Sequence, residues 1–112
     1  MPYIRNSTPF NIWVADMYWA PDACGEYGNF RTEGWWLFKP QERYKVGPSD
    51  GRALYWYAET EDGTRHWTGP YGPVYVTDEA FESCLGIGST AAYKVTMRKH
   101  DPAAYPGGVT LV

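Results

Sequence analysis

Glycine and proline interrupt this chain so often that no window is left for a helix of ordinary length. Twelve Gly and nine Pro are spread along it, and a proline inside a helix removes a hydrogen bond and clashes with the turn before it. Short strands joined by tight turns are what such punctuation permits. With 112 residues there is room for one domain with one core, since a chain of this size buries about two-thirds of the surface it exposes when unfolded. Residues 1–112 are therefore read as a single domain.

Residues 10–19 set Phe10, Ile12 and Val14 against Asn11, Trp13, Ala15, Met17 and Trp19 with the two-residue period of a strand. Apolar groups fall on both of its faces, which suits a central strand. Residues 20–31 (APDACGEYGNFR) are turn chemistry and predict a long loop. Strands are expected at 34–39, ending at Pro40, and at 43–46. The strongest hairpin signal joins 53–60 to 64–68 through Glu61, Asp62 and Gly63, because Asp-Gly readily takes the positive φ of a tight reversal. A rigid bend at 69–73 and a short strand at 74–76 follow, then one turn of helix at 78–83 capped by Thr77 or Asp78. Residues 92–99 alternate Tyr93, Val95 and Met97 against Lys94, Thr96 and Arg98 as a half-buried strand. A loop at 100–108 and a last strand at 109–112 complete the chain. Six to eight short strands at this spacing predict an all-β fold, a small antiparallel β-sandwich or partly open barrel with long Gly/Pro-rich loops.

Aromatic residues dominate the apolar content: six Trp, ten Tyr and four Phe. Alternation lets only about half of the strand positions point into a sandwich. Trp13 with Trp19, Trp35 beside Trp36, and Tyr55, Trp56 and Tyr57 in succession must then put large rings on both faces. Exposed Trp and Tyr clusters suit interaction surfaces, since each ring gives large contact area for little lost rotamer freedom. Trp19, Trp35, Trp36, Tyr55, Trp56, Tyr57, Trp67 and Tyr71 are the candidate partner-binding residues, and a second minor core under folded-over loops is the alternative.

Other chemistries find little footing. The net charge of -3, with Lys and Arg scattered singly, gives no basic stripe for nucleic acid. No apolar run approaches the roughly 20 residues that cross a bilayer, and the opening MPYIRNSTPF lacks the basic start and apolar middle of a secretion signal. The expectation is a chain made in soluble form, without membrane insertion, its final location open. Glu59, Glu61, Asp62 and His66 gather near one turn and could be written as an acid/base group of a small hydrolase. A Cys-His nucleophile would need Cys24 or Cys84 beside His66 or His100. Neither pattern is specific, so no catalytic residue, metal or cofactor is assigned. Asp16, Asp22 and Glu26 could hold calcium from a loop, though such loops are more often plain turns. Asn6-Ser7-Thr8 fits a glycosylation sequon by letter and reads better as an N-terminal turn. Cys24 and Cys84 form a candidate disulfide linking the long loop to the region after Phe81.

Several of these pieces occur in a familiar order. Asn6 and Thr8 precede Val14 and Ala15; Glu33 to Trp36 form a Glu-Gly-Trp-Trp element before a Pro-containing turn; Tyr55 to Ala58 end a Tyr-rich strand. Gly63, Trp67 and Gly69 follow, then Val76, Asp78 and Phe81. Over roughly residues 4–98 the chain resembles the bacterial domain-of-unknown-function family 1036. It departs from the pattern at Arg43 and Tyr75, where members carry Cys, and Cys24 lies in a loop the family does not fix. The resemblance implies a compact β fold and carries no established activity or site residues.

The function expected on these grounds is a non-enzymatic structural or docking module. It would make protein contacts, including self-assembly, through its rings and through edge strands at residues 4–5 and 109–112. The alternative is a carbohydrate-binding module with Trp56, Trp67, Glu59 and Asp62 around one hairpin; a small hydrolase is the third reading.

Overall fold

The computed structural model describes residues 2–48, 50–86 and 92–112. The strands, in chain order, are β1 (Tyr3–Asn6), β2 (Ile12–Trp19), β3 (Phe30–Phe38), β4 (Arg43–Lys45), β5 (Leu54–Thr60), β6 (His66–Trp67), β7 (Tyr71–Val76), β8 (Phe81–Cys84), β9 (Tyr93–His100) and β10 (Val109–Leu111). One helical turn, α1 (Pro21–Cys24), runs into a 3-10 turn at Gly25–Tyr27 between β2 and β3. The fold is all-β and sandwich-like. Its main body is a seven-stranded antiparallel sheet curled into a half-barrel, in the order β7-β9-β5-β2-β3-β8, with β6 pairing β5 beside β9. A small sheet, β10-β1-β4, lies against it, and β1 pairs with β10 in parallel.

Apolar groups on both faces of β2 and β5 divide the interior into two cores, where the sequence led us to expect one. Ile12, Val14, Leu54, Trp56 and Ala58 pack with Ile4, Leu111, Val46 and Trp67 between the two sheets. Ala15, Met17 and Tyr57, from the opposite face of the same strands, pack with Val74, Val76, Val95 and Met97 inside the curl. Val74 and Ala15 belong to one core although β9 and β5 separate their strands in the sheet, which is what curling accomplishes.

The hairpin between β5 and β6 closes as its residues predict. Gly63 takes a φ of 73°, and Asp62 Oδ1 accepts hydrogen bonds from the Thr60 hydroxyl at 2.7 Å and from the Thr64 amide and hydroxyl at 3.1 and 2.8 Å. Asn6, fully buried, ties the first turn: its Nδ2 donates to the Phe10 and Phe38 carbonyls and its Oδ1 accepts from the Thr8 amide and hydroxyl. Those bonds occupy the amide that the sequon would have offered to a glycan.

Three expectations are corrected. Residues 78–83 do not form a helical turn: after a bend, Phe81–Cys84 is strand β8, paired with Arg31–Gly34 of β3. Pairing with β3 won there, and it lets Phe81 pack against the inner core. The loop expected at 20–31 is shorter, since β3 already starts at Phe30 and pairs with Trp19. Residues 4–5 are not an edge, because β1 is the middle strand of the small sheet, whereas β10 does lie at one.

Candidate functional site

At one end of the curl the sheet leaves a pocket of about 270 Å3 lined by Trp13, Trp35, Glu59, Asp78, Ala80 and Tyr93. Trp13 on β2 and Glu59 on β5 are direct cross-strand partners, so alternation puts both side chains on one face. Trp35 comes from β3 and is held edge-on between Tyr57 and Phe81, at centroid distances of 6.1 and 5.9 Å. Phe81 can lie so close because Gly34 has no side chain; a Cβ there would come within 2.5 Å of the Phe81 ring. The indole N–H of Trp35 donates to the Thr77 carbonyl at 2.6 Å, which fixes the bend carrying Asp78 and Ala80 to the wall.

Two carboxylates line the pocket, and among the described residues no Lys or Arg nitrogen comes within 4.0 Å of either; His66 Nδ1 is 4.0 Å from Glu59 Oε2. The Gly63 carbonyl 3.0 Å from His66 Nε2 can only accept, so Nε2 donates, and in the neutral ring Nδ1 accepts from the Tyr57 hydroxyl at 2.9 Å. Tyr93 donates to Glu59 Oε1 at 3.4 Å. Burial, then the charges of Glu59 and Asp78 and the neighbouring Tyr57, push the Tyr93 hydroxyl well above its ordinary pKa. Tyr57 rises to about 12 through burial and Glu59.

Of the eight rings named from the sequence, one, Trp35, belongs to this pocket. Trp56, Tyr57 and Trp67 are buried and cannot serve as contact surface: Trp56 and Trp67 fill the core between the sheets and Tyr57 the core inside the curl. A sugar platform on Trp56 and Trp67 fails for the same reason. Trp36 sits 40% exposed on the opposite face, its Nε1 donating to Asp16 Oδ1 at 3.3 Å. Trp19 lies under the Arg52 guanidinium, 5.9 Å from the ring centroid. Tyr55 and Tyr71 stack edge-on at 5.2 Å and line, with Met17, Phe30, Gly72, Pro73 and Leu85, an apolar hollow of about 290 Å3 at the other end of the curl.

Trp13, Tyr93 and Asp78 were not named as binding residues. Trp13 and Tyr93 carried a signal, their inward register on central strands; Asp78 carried only its place in the Val76-Asp78-Phe81 step, because a helical turn was read there. Of the hydrolase group, Glu59 and His66 come together, Oε2 to Nδ1 4.0 Å apart, whereas Asp62 is turned into the hairpin by Thr60 and Thr64, whose hydrogen bonds hold its carboxyl below the usual range. Cys24 and Cys84 are bonded to each other across a Cα separation of 5.6 Å, so neither thiol is free to act as a nucleophile. Asp16, placed in a calcium loop by the sequence reading, is a buried residue of β2 and is thereby removed from Asp22 on α1. No three His, Cys, Asp or Glu side chains group as metal ligands among the described residues.

Searches of family models, curated proteins and solved structures find no match to this chain. The resemblance to family 1036 thus rests on the residues quoted for it.

Proposed function

We propose that this chain is a non-enzymatic binding module whose recognition site is the pocket between β2, β3, β5 and β9. One observation carries the reading: three aromatic rings and two carboxylates converge on a single cavity. Binding sites are typically apolar concavities with a few convergent polar groups. The apolar hollow at the other end is of similar size but has no charged group in its wall. At about 270 Å3 the pocket is just below the roughly 300 Å3 at which drug-sized sites begin, so it suits one head group or ring of a partner.

Self-assembly through an aromatic surface draws less support from the same structure. Two cores take up rings on both faces of the main sheet. Trp56, Tyr57 and Trp67, three of the eight rings expected at such a surface, are buried in those cores.

A library of small amines, sugars and aromatic acids, screened on 15N-labelled protein by amide and indole NMR, tests the proposal. Binders should perturb the indole signals of Trp13 and Trp35 together with the Glu59 and Asp78 amides, and Trp13→Ala should abolish the response. A response centred on another face, or none from any compound, contradicts it.

A further inference from the structure

We infer that the pocket is selective for an alkylated ammonium group, a positively charged ligand class that its rings and carboxylates both attract. The inference rests on the binding-module reading and adds the ligand chemistry. Ring faces carry negative charge density and hold organic cations within about 6 Å, most strongly when the site is partly desolvated. Trp13, Trp35 and Tyr93 line the cavity, and Glu59 and Asp78 supply formal charge with no Lys or Arg nitrogen within 4.0 Å among the described residues.

Hydrogen-bonding capacity separates a cation from a sugar. A sugar hydroxyl needs donors for its oxygen as well as acceptors for its proton. Two of the pocket's donors are already used within the protein: Trp35 Nε1 on the Thr77 carbonyl and the Tyr93 hydroxyl on Glu59. Trp13 Nε1 is the one indole donor of the lining with no partner among the described residues; the carboxylate oxygens of Glu59 and Asp78 outnumber it, a balance that favours a group that donates or carries positive charge. Burial does most to raise the Tyr93 and Tyr57 hydroxyls, and the charge of Glu59 adds to the rise at both. In the tautomer whose Nε2 donates to the Gly63 carbonyl, His66 Nδ1 accepts from Tyr57 and presents no proton to Glu59.

Titration with choline chloride, its uncharged isostere 3,3-dimethyl-1-butanol, and glucose, read at the Trp13 and Trp35 indole signals, decides the matter. Choline should saturate with a roughly millimolar dissociation constant, and the isostere should bind at least about tenfold more weakly. Asp78→Asn, at an exposed position that leaves the fold alone, and Glu59→Gln should each weaken choline by about fivefold to tenfold. Glu26→Gln, remote from the pocket, should not. Equal binding of the isostere, or binding of glucose without choline, overturns the cation assignment and leaves the binding module standing. Silence of all three probes at both indoles overturns the assignment, and the library screen then decides the module. Sedimentation with phosphatidylcholine vesicles and binding of a trimethyllysine peptide, each competed by choline, tell a lipid headgroup from a modified side chain, and either supports the assignment.

Discussion

Asp16 occupies a position that the strand pattern alone would give to an apolar residue. It is fully buried, its Oδ1 receives the Trp36 indole N–H, and its Oδ2 has no hydrogen-bond partner among the described residues. Burial, reinforced by the Glu33 charge, raises its pKa from the ordinary 3.8 to about 7. The folded chain therefore holds this proton more tightly than the unfolded chain does. The resulting stabilisation is complete below about pH 4 and is lost as pH rises through 7, amounting to as much as about 4 kcal/mol. Denaturant unfolding of Asp16→Asn should show a flatter profile between pH 4 and 8 and higher stability than the parent at pH 8; an unchanged slope would remove Asp16 as its source. Among the rings, Trp56→Ala should cost about 3–5 kcal/mol as a core cavity, and Trp19→Ala, half exposed, about 0.5 kcal/mol. The sequence placed both in one contact surface. Period-two alternation reports which face a ring takes, and it is silent on whether a second layer covers that face, so Trp56 under the small sheet and Trp19 beneath Arg52 looked alike.

Elements were most legible where a local signal and a packing need agreed. The β5-β6 hairpin was announced by Asp62-Gly63, and Ala58 opposite Trp67 shows why a small residue follows Tyr57: the neighbouring indole fills the space. The Glu33-Gly34-Trp35-Trp36 element follows the same logic, with Trp35 directed into the curl, Trp36 to the other face, and Gly34 making room for Phe81. β8 was illegible because four residues with an acidic lead-in carry no period of their own; only pairing to β3 settles them as a strand. Cys84 ends that strand and Cys24 ends α1, so their disulfide anchors the α1 loop to the sheet edge, beside backbone bonds from Leu85 to Phe30 and from Gly86 to Tyr27. Closing a loop with a sequence separation of 60 is worth about 4 kcal/mol in the chain-entropy description. The Cys24→Ser, Cys84→Ser double variant should lose that much in chemical denaturation, and a loss below about 1 kcal/mol would mean that the backbone bonds hold the loop unaided.

For the molecule as a whole, the all-β class followed from Gly and Pro punctuation, while the curl and the second core did not. Both depend on pairings distant in sequence, such as β2 with β5 and β1 with β10, and no local pattern encodes them. The pocket is a product of that curl: it brings Trp13, Trp35, Glu59, Asp78 and Tyr93 from separate segments to one mouth. An excess of rings over one core was a sound observation whose consequence is a second core and a lined cavity. Intermolecular nuclear Overhauser effects from the choline methyl groups to the protein test this placement most directly. The account predicts contacts to the ring protons of Trp13, Trp35 and Tyr93; contacts to Phe30 and Tyr71 in the opposite hollow, or none at saturating choline, would contradict it.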